Sequence, residues 1–406
     1  MVDVHVQPGP WLRLTAAGAA VTAALVVVSG ALHMTSAHRA LALAALAPMV
    51  AMVVAARFAH PHLLRLWSAA VGLMLVEIGL GAAVALTAAS SVLHWAHVGV
   101  ACLALAAAVA GTAATMRGEP GSAAPWRDYL TLTKPRVMSL LLLTGACGMV
   151  VGERGIPPAG RFAAMLLGLA MACGGASALN HLLDRDIDQR MKRTAGRPVA
   201  SGRVVPPRAL EFGLALSAGS FVLLSSLVNP LTAALALAGN LFYVVVYTSW
   251  LKRSTAQNIV IGGAAGAVPP LVGWAAATGN MSVAAIVLFV IVFVWTPPHF
   301  WALALLIKRD YAAAGVPMLP VVRGDAAAAR QILVYSIGLV AVTALPVVVG
   351  IAGWPYLIVA AASGAWFVWL AWRLLRDPVR ARAGALFHYS MLYLAVLFVA
   401  MAANAA

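Results

Sequence analysis

One stretch of the chain decides the fold and the chemistry: Asn180-His-Leu-Leu-Asp184-Arg-Asp-Ile-Asp188-Gln-Arg-Met-Lys192-Arg193-Thr-Ala-Gly-Arg197-Pro198. It closes an apolar run with acidic residues and a basic tail. In a helix, Asn180, Asp184 and Asp188 follow one another at intervals of one turn and lie on one face. Two carboxylates and an amide side by side suit Mg²⁺, which takes oxygen ligands and is commonly bound together with substrate phosphates. Cationic side chains that can hold the remaining phosphate oxygens follow directly, and these are Lys192, Arg193 and Arg197. We therefore predict a magnesium diphosphate site at the end of a membrane-embedded helix.

The composition is that of a membrane protein. Of the 406 residues, 63% are hydrophobic and 10% are charged, and the mean hydropathy is +0.93. These values exclude a soluble globular chain, and at about 20 residues per span the chain can cross a bilayer roughly a dozen times. Thirteen apolar stretches of suitable length lie between Trp11 and Ala403. We therefore predict an all-α, polytopic membrane protein with about 13 transmembrane helices.

The basic residues indicate topology, and we expect no nucleic-acid partner despite the net charge of +15. If the N-terminus is cytoplasmic and the thirteen stretches alternate, 24 of the 27 Lys and Arg residues lie on the cytoplasmic side. The other three are Arg39, Arg154 and Arg161. This asymmetry follows the positive-inside rule. We therefore expect a multi-pass protein of the cell (inner) membrane, with the N-terminus and the active-site loops in the cytoplasm.

A short polar segment divides the chain into two domains. Across residues 117–126 the apolar pattern gives way to Arg-Gly-Glu-Pro-Gly-Ser-Ala-Ala-Pro-Trp, a composition typical of a linker. Four predicted helices precede it in residues 1–116, and nine follow it in residues 127–406. The expected architecture is a four-helix transmembrane bundle followed by a nine-helix bundle.

The acidic stretch resembles the first aspartate-rich motif of the intramembrane prenyltransferase superfamily, Asn-x-x-x-Asp-x-x-x-Asp. Four further segments are similar to those of one family within it, the protohaem farnesyltransferases (haem O synthases): Leu132-Thr-Lys134-Pro135-Arg136, Tyr247 to Asn258, Ile261 to Trp274, and Trp295-Thr-Pro-Pro-His299 to Pro320. The resemblance extends from about Trp126 to the C-terminus. It implies a nine-helix prenyltransferase bundle that transfers farnesyl from farnesyl diphosphate to the vinyl group of protohaem IX. The products are haem O and diphosphate, and haem O is a step towards the cofactor of haem-copper oxidases.

The resemblance also implies roles on the diphosphate side. Asp184 and Asp188 would hold Mg²⁺, with Asn180 as a further ligand or orienting group, to stabilise the departing diphosphate. Many superfamily members carry a second Asp-x-x-x-Asp motif, but here Asp310 is followed four residues later by Ala314. We therefore expect one acid at this second position, supplemented by the cationic side chains of Lys308 and Arg309.

The acceptor side needs a base for the proton released when water adds to the vinyl group. His299 and Tyr247 are the candidates, and the sequence does not choose between them. Pro297-Pro298 disturbs the helix before His299, which indicates a pocket and makes an axial haem ligand the other interpretation of this histidine. The residues expected to contact the substrates are Lys192, Arg193, Arg197, Lys252, Arg253 and Tyr311, with Lys134 and Arg136 for the haem propionates. Lys252 and Arg253 have the alternative role of anchoring a helix end at the lipid headgroups.

The N-terminal four helices carry a separate pair of histidines. His38 opens the second predicted helix and His97 lies near the start of the fourth. Two imidazoles that face each other across a four-helix bundle can hold haem iron. The stretches Ala37 to Ala40 and Trp95 to Ala101 resemble one half of the haem A synthase family. The resemblance implies haem b on His38 and His97, and a haem A synthase as a partner that consumes haem O.

Three other functions fit parts of the sequence. A quinone-type aromatic prenyltransferase shares the diphosphate site but not the acceptor, and the segment from His299 to Pro320 argues against it. A transporter also has intramembrane carboxylates, but near the middle of its spans, whereas these acids lie at a span edge. A haem-binding electron-transfer module would depend on His38 and His97 alone.

Overall fold

The computed structural model describes residues 10–31, 35–58, 63–87, 91–117 and 124–405, and the regular structure within these ranges is entirely helical. In chain order the helices are α1 (Pro10–Ala31), α2 (Thr35–Phe58), α3 (Leu64–Thr87), α4 (Ser91–Arg117), α5 (Trp126–Leu132), α6 (Pro135–Glu153), α7 (Ala159–Leu183), α8 (Arg185–Arg190), α9 (Pro206–Leu227), α10 (Pro230–Leu241), the π-helix π1 (Phe242–Leu251), α11 (Lys252–Ser254), α12 (Asn258–Thr278), α13 (Val283–Leu306), α14 (Lys308–Ala313), α15 (Leu319–Val342), α16 (Leu345–Val348), α17 (Trp354–Arg376) and α18 (Arg380–Ala405).

The all-α membrane architecture is confirmed. In the described ranges, ten segments are long and apolar enough to cross a membrane. The helices α1, α2 and α4 carry shorter apolar runs, Leu12–Val27, Leu41–Arg57 and Ala96–Thr112. The count of thirteen spans therefore remains a prediction.

The first four helices form a bundle that packs against the rest of the protein. The helix α1 contacts α2 and α4, and α3 contacts α2 and α4, so the four close into a ring. Trp67, Met49 and Met52 are fully buried in its core. The helices α1 and α4 also contact α9, whose Val222 belongs to the same core. The predicted linker, residues 117–126, lies mostly outside the described residues, and its last residue begins α5.

The remaining helices form the bundle that positions the site. Its main contacts join α7 to α9, α6 to α12 and α18, and α13 to α12, α15 and α18. The contact of α6 with α12 depends on Gly273, because a Cβ there would lie 1.9 Å from the carbonyl oxygen of Gly145. Such close approach of helix backbones is typical of membrane interiors.

The aspartate-rich stretch is not the single helix that was predicted. The helix α7 ends at Leu183, Asp184 follows with φ −88° and ψ 4°, and α8 begins at Arg185. The guanidinium of Arg253 donates a hydrogen bond of 2.7 Å to the Leu183 carbonyl and satisfies one of the acceptors at the helix end. This break could not be predicted from the local sequence, because the group that caps the helix comes from a distant helix, α11.

Candidate functional site

Asp184 is the most buried acid of the site, with none of its surface exposed. Its Oδ2 accepts hydrogen bonds from Asn180 Nδ2 at 2.7 Å and from Lys252 Nζ at 2.5 Å. Its Oδ1 is buried and has no hydrogen-bond partner among the described residues, and Arg253 Nη2 lies 4.0 Å from it. A buried carboxylate oxygen without a partner is costly. It therefore marks a place for a cation.

Asn180 connects three segments of the chain. Its Oδ1 accepts a hydrogen bond of 2.7 Å from Lys134 Nζ, and its Nδ2 also donates to Thr248 Oγ1 at 3.1 Å. Lys134 is a non-glycine residue in the left-handed region, with φ 52° and ψ 60°, immediately before Pro135 at the start of α6. This conformation costs about 1–2 kcal/mol. The residue that adopts this conformation is the one whose ammonium group donates to Asn180.

Burial and neighbouring cations lower the pKa of Lys134 to about 7. Burial is the largest cause, and the charges of Arg197 and Lys252 act in the same direction. Asp184 and Asp188 oppose the shift but do not cancel it. Lys134, Lys252 and Arg197 are thus close enough to repel one another, as expected of cations that surround one anion site.

Asp188 lies on the short helix α8 and is also buried. One guanidinium nitrogen of Arg197, Nη1, donates to both Asp188 oxygens at 2.8 Å. The loop between them approaches the second predicted acid, because the backbone N–H of Arg193 donates to Asp310 Oδ2 at 3.4 Å. The structure therefore brings Asn180, Asp184, Asp188, Arg197 and Asp310 to the same end of the bundle.

Arg253 contacts the acid that the sequence argument did not select. Its guanidinium donates to both oxygens of Asp186 at 2.8 Å. This interaction is the main reason why the pKa of Asp186 falls to about 2. Asp186 is half exposed, so the pair fastens α8 to α11 at the surface. Lys252 lies inside the site, while Arg253 holds the helix end.

Aromatic side chains lie beside the acids. Tyr243 and Tyr247 stack with centroids 5.5 Å apart on π1. Tyr247 packs in an apolar cluster with Tyr311 and Ile259. Burial raises the pKa of Tyr311, and the acids Asp184 and Asp188 add to the shift. Tyr243 and Thr248 were not selected from the sequence, although the four-residue spacing of Tyr243 and Tyr247 was a visible signal.

His299 lies in a separate aromatic pocket between α13 and α18. Its ring stacks on Trp295 and Phe387 at centroid distances of 4.3 and 4.8 Å. Its Nδ1 lies 2.6 Å from Ser390 Oγ, which also lies 2.6 Å from the Phe387 carbonyl. The hydroxyl has one hydrogen and the carbonyl can only accept it, so Nδ1–H donates to Ser390. This tautomer leaves the lone pair of His299 on Nε2.

The side chains of Lys192, Arg193 and Arg136 are exposed, and their contacts with the substrates remain predictions. Lys308, expected to supplement Asp310, donates instead to Asp325 at 2.7 Å. Asp325 is near Lys308 because the backbone turns at Gly324, with φ 81°.

The residues present fit a magnesium ion. Asp184 Oδ1 has no hydrogen-bond partner among the described residues, and the Asp188 carboxylate and Asn180 Oδ1 are further oxygen atoms at the same end of the bundle. Oxygen donors of this kind are the ligands of Mg²⁺. Lys134, Lys252 and Arg197 donate hydrogen bonds to Asn180, Asp184 and Asp188, respectively.

The two N-terminal histidines also meet, around a residue that the sequence argument did not select. The rings of His38 and His97 have centroids 6.0 Å apart. The Nε2 atom of each lies 3.7 Å from Glu77 Oε1, on α3. Glu77 was missed because one acid in a long apolar helix carries no local pattern.

Comparisons with known proteins agree that this chain is similar to prenyltransferases. Residues 141–401 match the UbiA prenyltransferase family. A protein of Roseiflexus sp. (strain RS-1), named protoheme IX farnesyltransferase, is 53% identical over 278 residues, which is 68% of this chain and 52% of the relative. The chain thus spans about half the length of that relative. A protein of the same name from Gloeobacter violaceus is 51% identical over 286 residues, with 70% of this chain and 94% of the relative covered.

Solved structures share the fold at low sequence identity. A UbiA homolog from Archaeoglobus fulgidus bound to GPP and Mg²⁺ superposes with a TM-score of 0.51 at 18% identity, over 68% of this chain and 99% of that one. A structure described for digeranylgeranylglyceryl phosphate synthase gives a TM-score of 0.58 at 19% identity, over 69% and 98%.

Proposed function

The chain belongs to the UbiA prenyltransferase family, and from this membership we propose that it transfers farnesyl from farnesyl diphosphate to the vinyl group of protohaem IX, giving haem O and diphosphate. Relatives that are 53% and 51% identical over the matched residues are named protoheme IX farnesyltransferase, which supports this acceptor and the farnesyl group. The observation that carries the proposal is the buried, unpaired Asp184 Oδ1 beside Asn180 and Lys252. It is a cation site ready for a metal diphosphate.

The chain's own residues stabilise the leaving group. Bound Mg²⁺, held by Asp184, Asp188 and Asn180, would neutralise charge that develops on the diphosphate. Lys134, Lys252 and Arg197 now donate to these same three residues. When the diphosphate arrives, the three cations can turn to its oxygens, and charge-assisted hydrogen bonds hold it as it departs.

The tyrosines and their apolar neighbours shield the allylic carbon of the farnesyl group from water. Loss of diphosphate leaves an allylic cation, which the faces of Tyr243 and Tyr247 can stabilise. The buried side chains of Ile187, Met191 and Ile259 belong to the cluster around Tyr247 and exclude water from this region. The vinyl group of the acceptor then attacks the allylic cation before water quenches it. Attack leaves a new cation on the acceptor, to which water adds, and a base takes up the proton that this water releases.

His299 is the better of the two candidates for proton transfer or haem ligation. Ser390 holds its Nδ1–H, so Nε2 presents a lone pair. Tyr247 is a phenol packed in an apolar cluster and is better suited to shield the cation. Phe300 contacts His299 edge-on and belongs to the same apolar cluster as Tyr247. The proposed haem pocket around His299 therefore adjoins the tyrosines of the diphosphate site.

The test is product analysis with purified membranes that contain the chain. Haem B, farnesyl diphosphate and Mg²⁺ should yield a farnesylated haem by mass spectrometry, and removal of Mg²⁺ by chelation should abolish it. Hydroxybenzoate replaces haem in a parallel assay. A prenylated benzoate without farnesylated haem would establish the quinone-type alternative and refute the proposed acceptor.

We further propose two domains, residues 1–116 and 127–406, joined by a linker at 117–126. The resemblance of the N-terminal bundle to one half of a haem A synthase makes haem b one of two alternative occupants of His38 and His97, and a haem A synthase would be the partner that consumes haem O. The convergence of the two imidazoles supports a cofactor there. A Soret band in the purified full-length chain that disappears in His38→Ala and His97→Ala tests the haem.

The orientation in the membrane is proposed from charge. The protein spans the membrane several times. We propose the cell (inner) membrane, with the N-terminus and the active-site loops cytoplasmic, because the Lys and Arg residues are so unevenly distributed. Alkaline phosphatase fused after Glu153 should be active and the same enzyme fused after Arg190 inactive, and the opposite result would reverse the topology.

A further inference from the structure

Three polar side chains from three helices meet inside the N-terminal bundle. His38 lies on α2, Glu77 on α3 and His97 on α4, and we call them the His–Glu–His cluster. Both Nε2 atoms lie 3.7 Å from Glu77 Oε1, and all three donor atoms lie within 4.8 Å of one another. Nothing in the prenyltransferase chemistry requires this cluster.

The backbone fixes the direction of both imidazoles. His38 Nδ1 lies 2.8 Å from the Val26 carbonyl, and His97 Nδ1 lies 3.2 Å from the Glu77 carbonyl. A carbonyl only accepts, so each Nδ1 carries the hydrogen and each neutral ring has its lone pair on Nε2. Gly81 leaves space for the second ring, since a Cβ there would lie 3.0 Å from His97 Cε1. Histidines that bind metals are oriented by hydrogen bonds of this kind.

Glu77 is the unusual member of the cluster. It is 1% exposed, and its Oε1 has no hydrogen-bond partner among the described residues. The surrounding core consists of apolar side chains such as Met74 and Val98. An ionised carboxylate in such surroundings is costly unless a cation accompanies it. The unpartnered oxygen lies beside the Nε2 atoms of His38 and His97.

We infer that the His–Glu–His cluster binds one divalent transition-metal ion, of the Zn²⁺ or Fe²⁺ class, through His38 Nε2, His97 Nε2 and Glu77 Oε1. Two imidazoles and one carboxylate are a donor set for such ions, whereas Mg²⁺ prefers oxygen. A tetrahedral ion with bonds of about 2.1 Å separates its ligands by about 3.4 Å. The two distances from Glu77 Oε1 to the Nε2 atoms, 3.7 Å each, are close to this value, and all three donor atoms lie within 4.8 Å of one another. Three protein ligands leave a coordination position open to water or a small ligand.

The carboxylate also distinguishes this ion from a haem. Glu77 Oε1 is equally far from both Nε2 atoms, so it lies in the plane midway between the two imidazoles. A porphyrin held by both histidines would fill that plane with its own ring. The arrangement therefore favours Glu77 as a ligand, and haem requires Glu77 to move away.

The experiment uses the purified full-length chain in detergent, stripped with a chelator and titrated with Co²⁺ in the presence of Mg²⁺. Co²⁺ reports its coordination by visible absorption, and metal content after Zn²⁺ loading gives the stoichiometry. We expect about one ion per chain. The ion and the absorption band should be lost in His38→Ala, His97→Ala and Glu77→Gln.

Matched controls are His388→Ala, an exposed histidine on α18, and Glu153→Gln, an acid at the end of α6. Both should keep the ion. Circular dichroism and thermal melting separate loss of binding from loss of folding, and Glu77→Asp, which keeps the carboxylate, should retain Co²⁺ with a shifted band. Equal Co²⁺ binding in the wild type and all three cluster variants would overturn the inference. So would a Soret band that depends on both histidines but persists in Glu77→Gln.

Discussion

Asp184 combines full burial, two hydrogen bonds on one oxygen and none on the other. This asymmetry suits the proposed metal ligand, because the protein positions one oxygen and leaves the other without a hydrogen bond. Asp186, two residues later, has both oxygens occupied by Arg253 and faces solvent. Residues of the same type in one motif therefore have different roles.

Asp184→Asn should lower kcat for farnesyl transfer by roughly 100-fold or more, the scale observed when a group that stabilises developing charge is removed. The amide keeps the shape but lacks the charge that attracts the metal. Asp186→Asn is the matched control and should stay within a few-fold of wild type. Steady-state assays with varied Mg²⁺ measure both. Full turnover in Asp184→Asn would remove this residue from the mechanism.

The lowered pKa of Lys134 predicts that diphosphate binding depends on pH. Its pKa of about 7 means that the ammonium is lost as pH rises through neutrality. A bound diphosphate favours the charged form, so binding takes up a proton above pH 7 and should weaken with rising pH, by up to about tenfold per unit. Calorimetric titration of pyrophosphate from pH 6 to 9 measures this. Lys134→Arg stays charged and should bind with a flatter profile, and parallel profiles would contradict the role of Lys134.

At the level of elements, the π-helix π1 presents Tyr243, Tyr247 and Thr248 to the site, and α12 supports it from behind. Gly262 on α12 makes this contact possible, because a Cβ there would lie 2.2 Å from Tyr247 Cδ2. π-Helical turns are often found at functional sites. The geometry of the tyrosines thus depends on a small residue in a neighbouring helix.

Gly262→Ala should displace the Tyr247 ring and destabilise the bundle by about 1–3 kcal/mol, the usual cost of overpacking. The melting temperature and kcat should both fall. Gly266→Ala, one turn later on the same helix, has nothing within 4 Å of its added Cβ and should leave both unchanged. If the two variants behave alike, the contact with Tyr247 has no consequence.

For the whole molecule, the question is whether the two bundles depend on each other. The helices α1 and α4 rest on α9, but the buried surface there is apolar, and lipid can replace an apolar neighbour at little cost. The match to the Gloeobacter relative covers 94% of that protein but only 70% of this chain. We expect the prenyltransferase bundle to fold alone.

Deletion of residues 1–116 should therefore leave farnesyl transfer within a few-fold of the full chain, while metal or haem binding by the His–Glu–His cluster is lost. Mass spectrometry of haems from cells that express each form measures the first, and metal analysis measures the second. Loss of farnesylated haem from a stably expressed truncated chain would show that the bundles act together.

Composition and local pattern determined the membrane class, the helices and the acidic motif. These depend on properties of neighbouring residues: apolar runs must be helical in lipid, and acids one turn apart lie together. Asn180, Asp184, Asp188 and Arg197, which come from one stretch of the sequence, accordingly lie together in the structure.

Only the tertiary structure decided which polar groups from distant segments meet. It paired Lys134 with Asn180, Ser390 with His299 and Lys308 with Asp325. It also placed Glu77 between His38 and His97. An apolar helix reveals its period but not its neighbours, and helix packing is decided by side-chain shapes along the whole length of several helices. The site residues are therefore local in the sequence where one helix carries them, and non-local wherever two helices must meet.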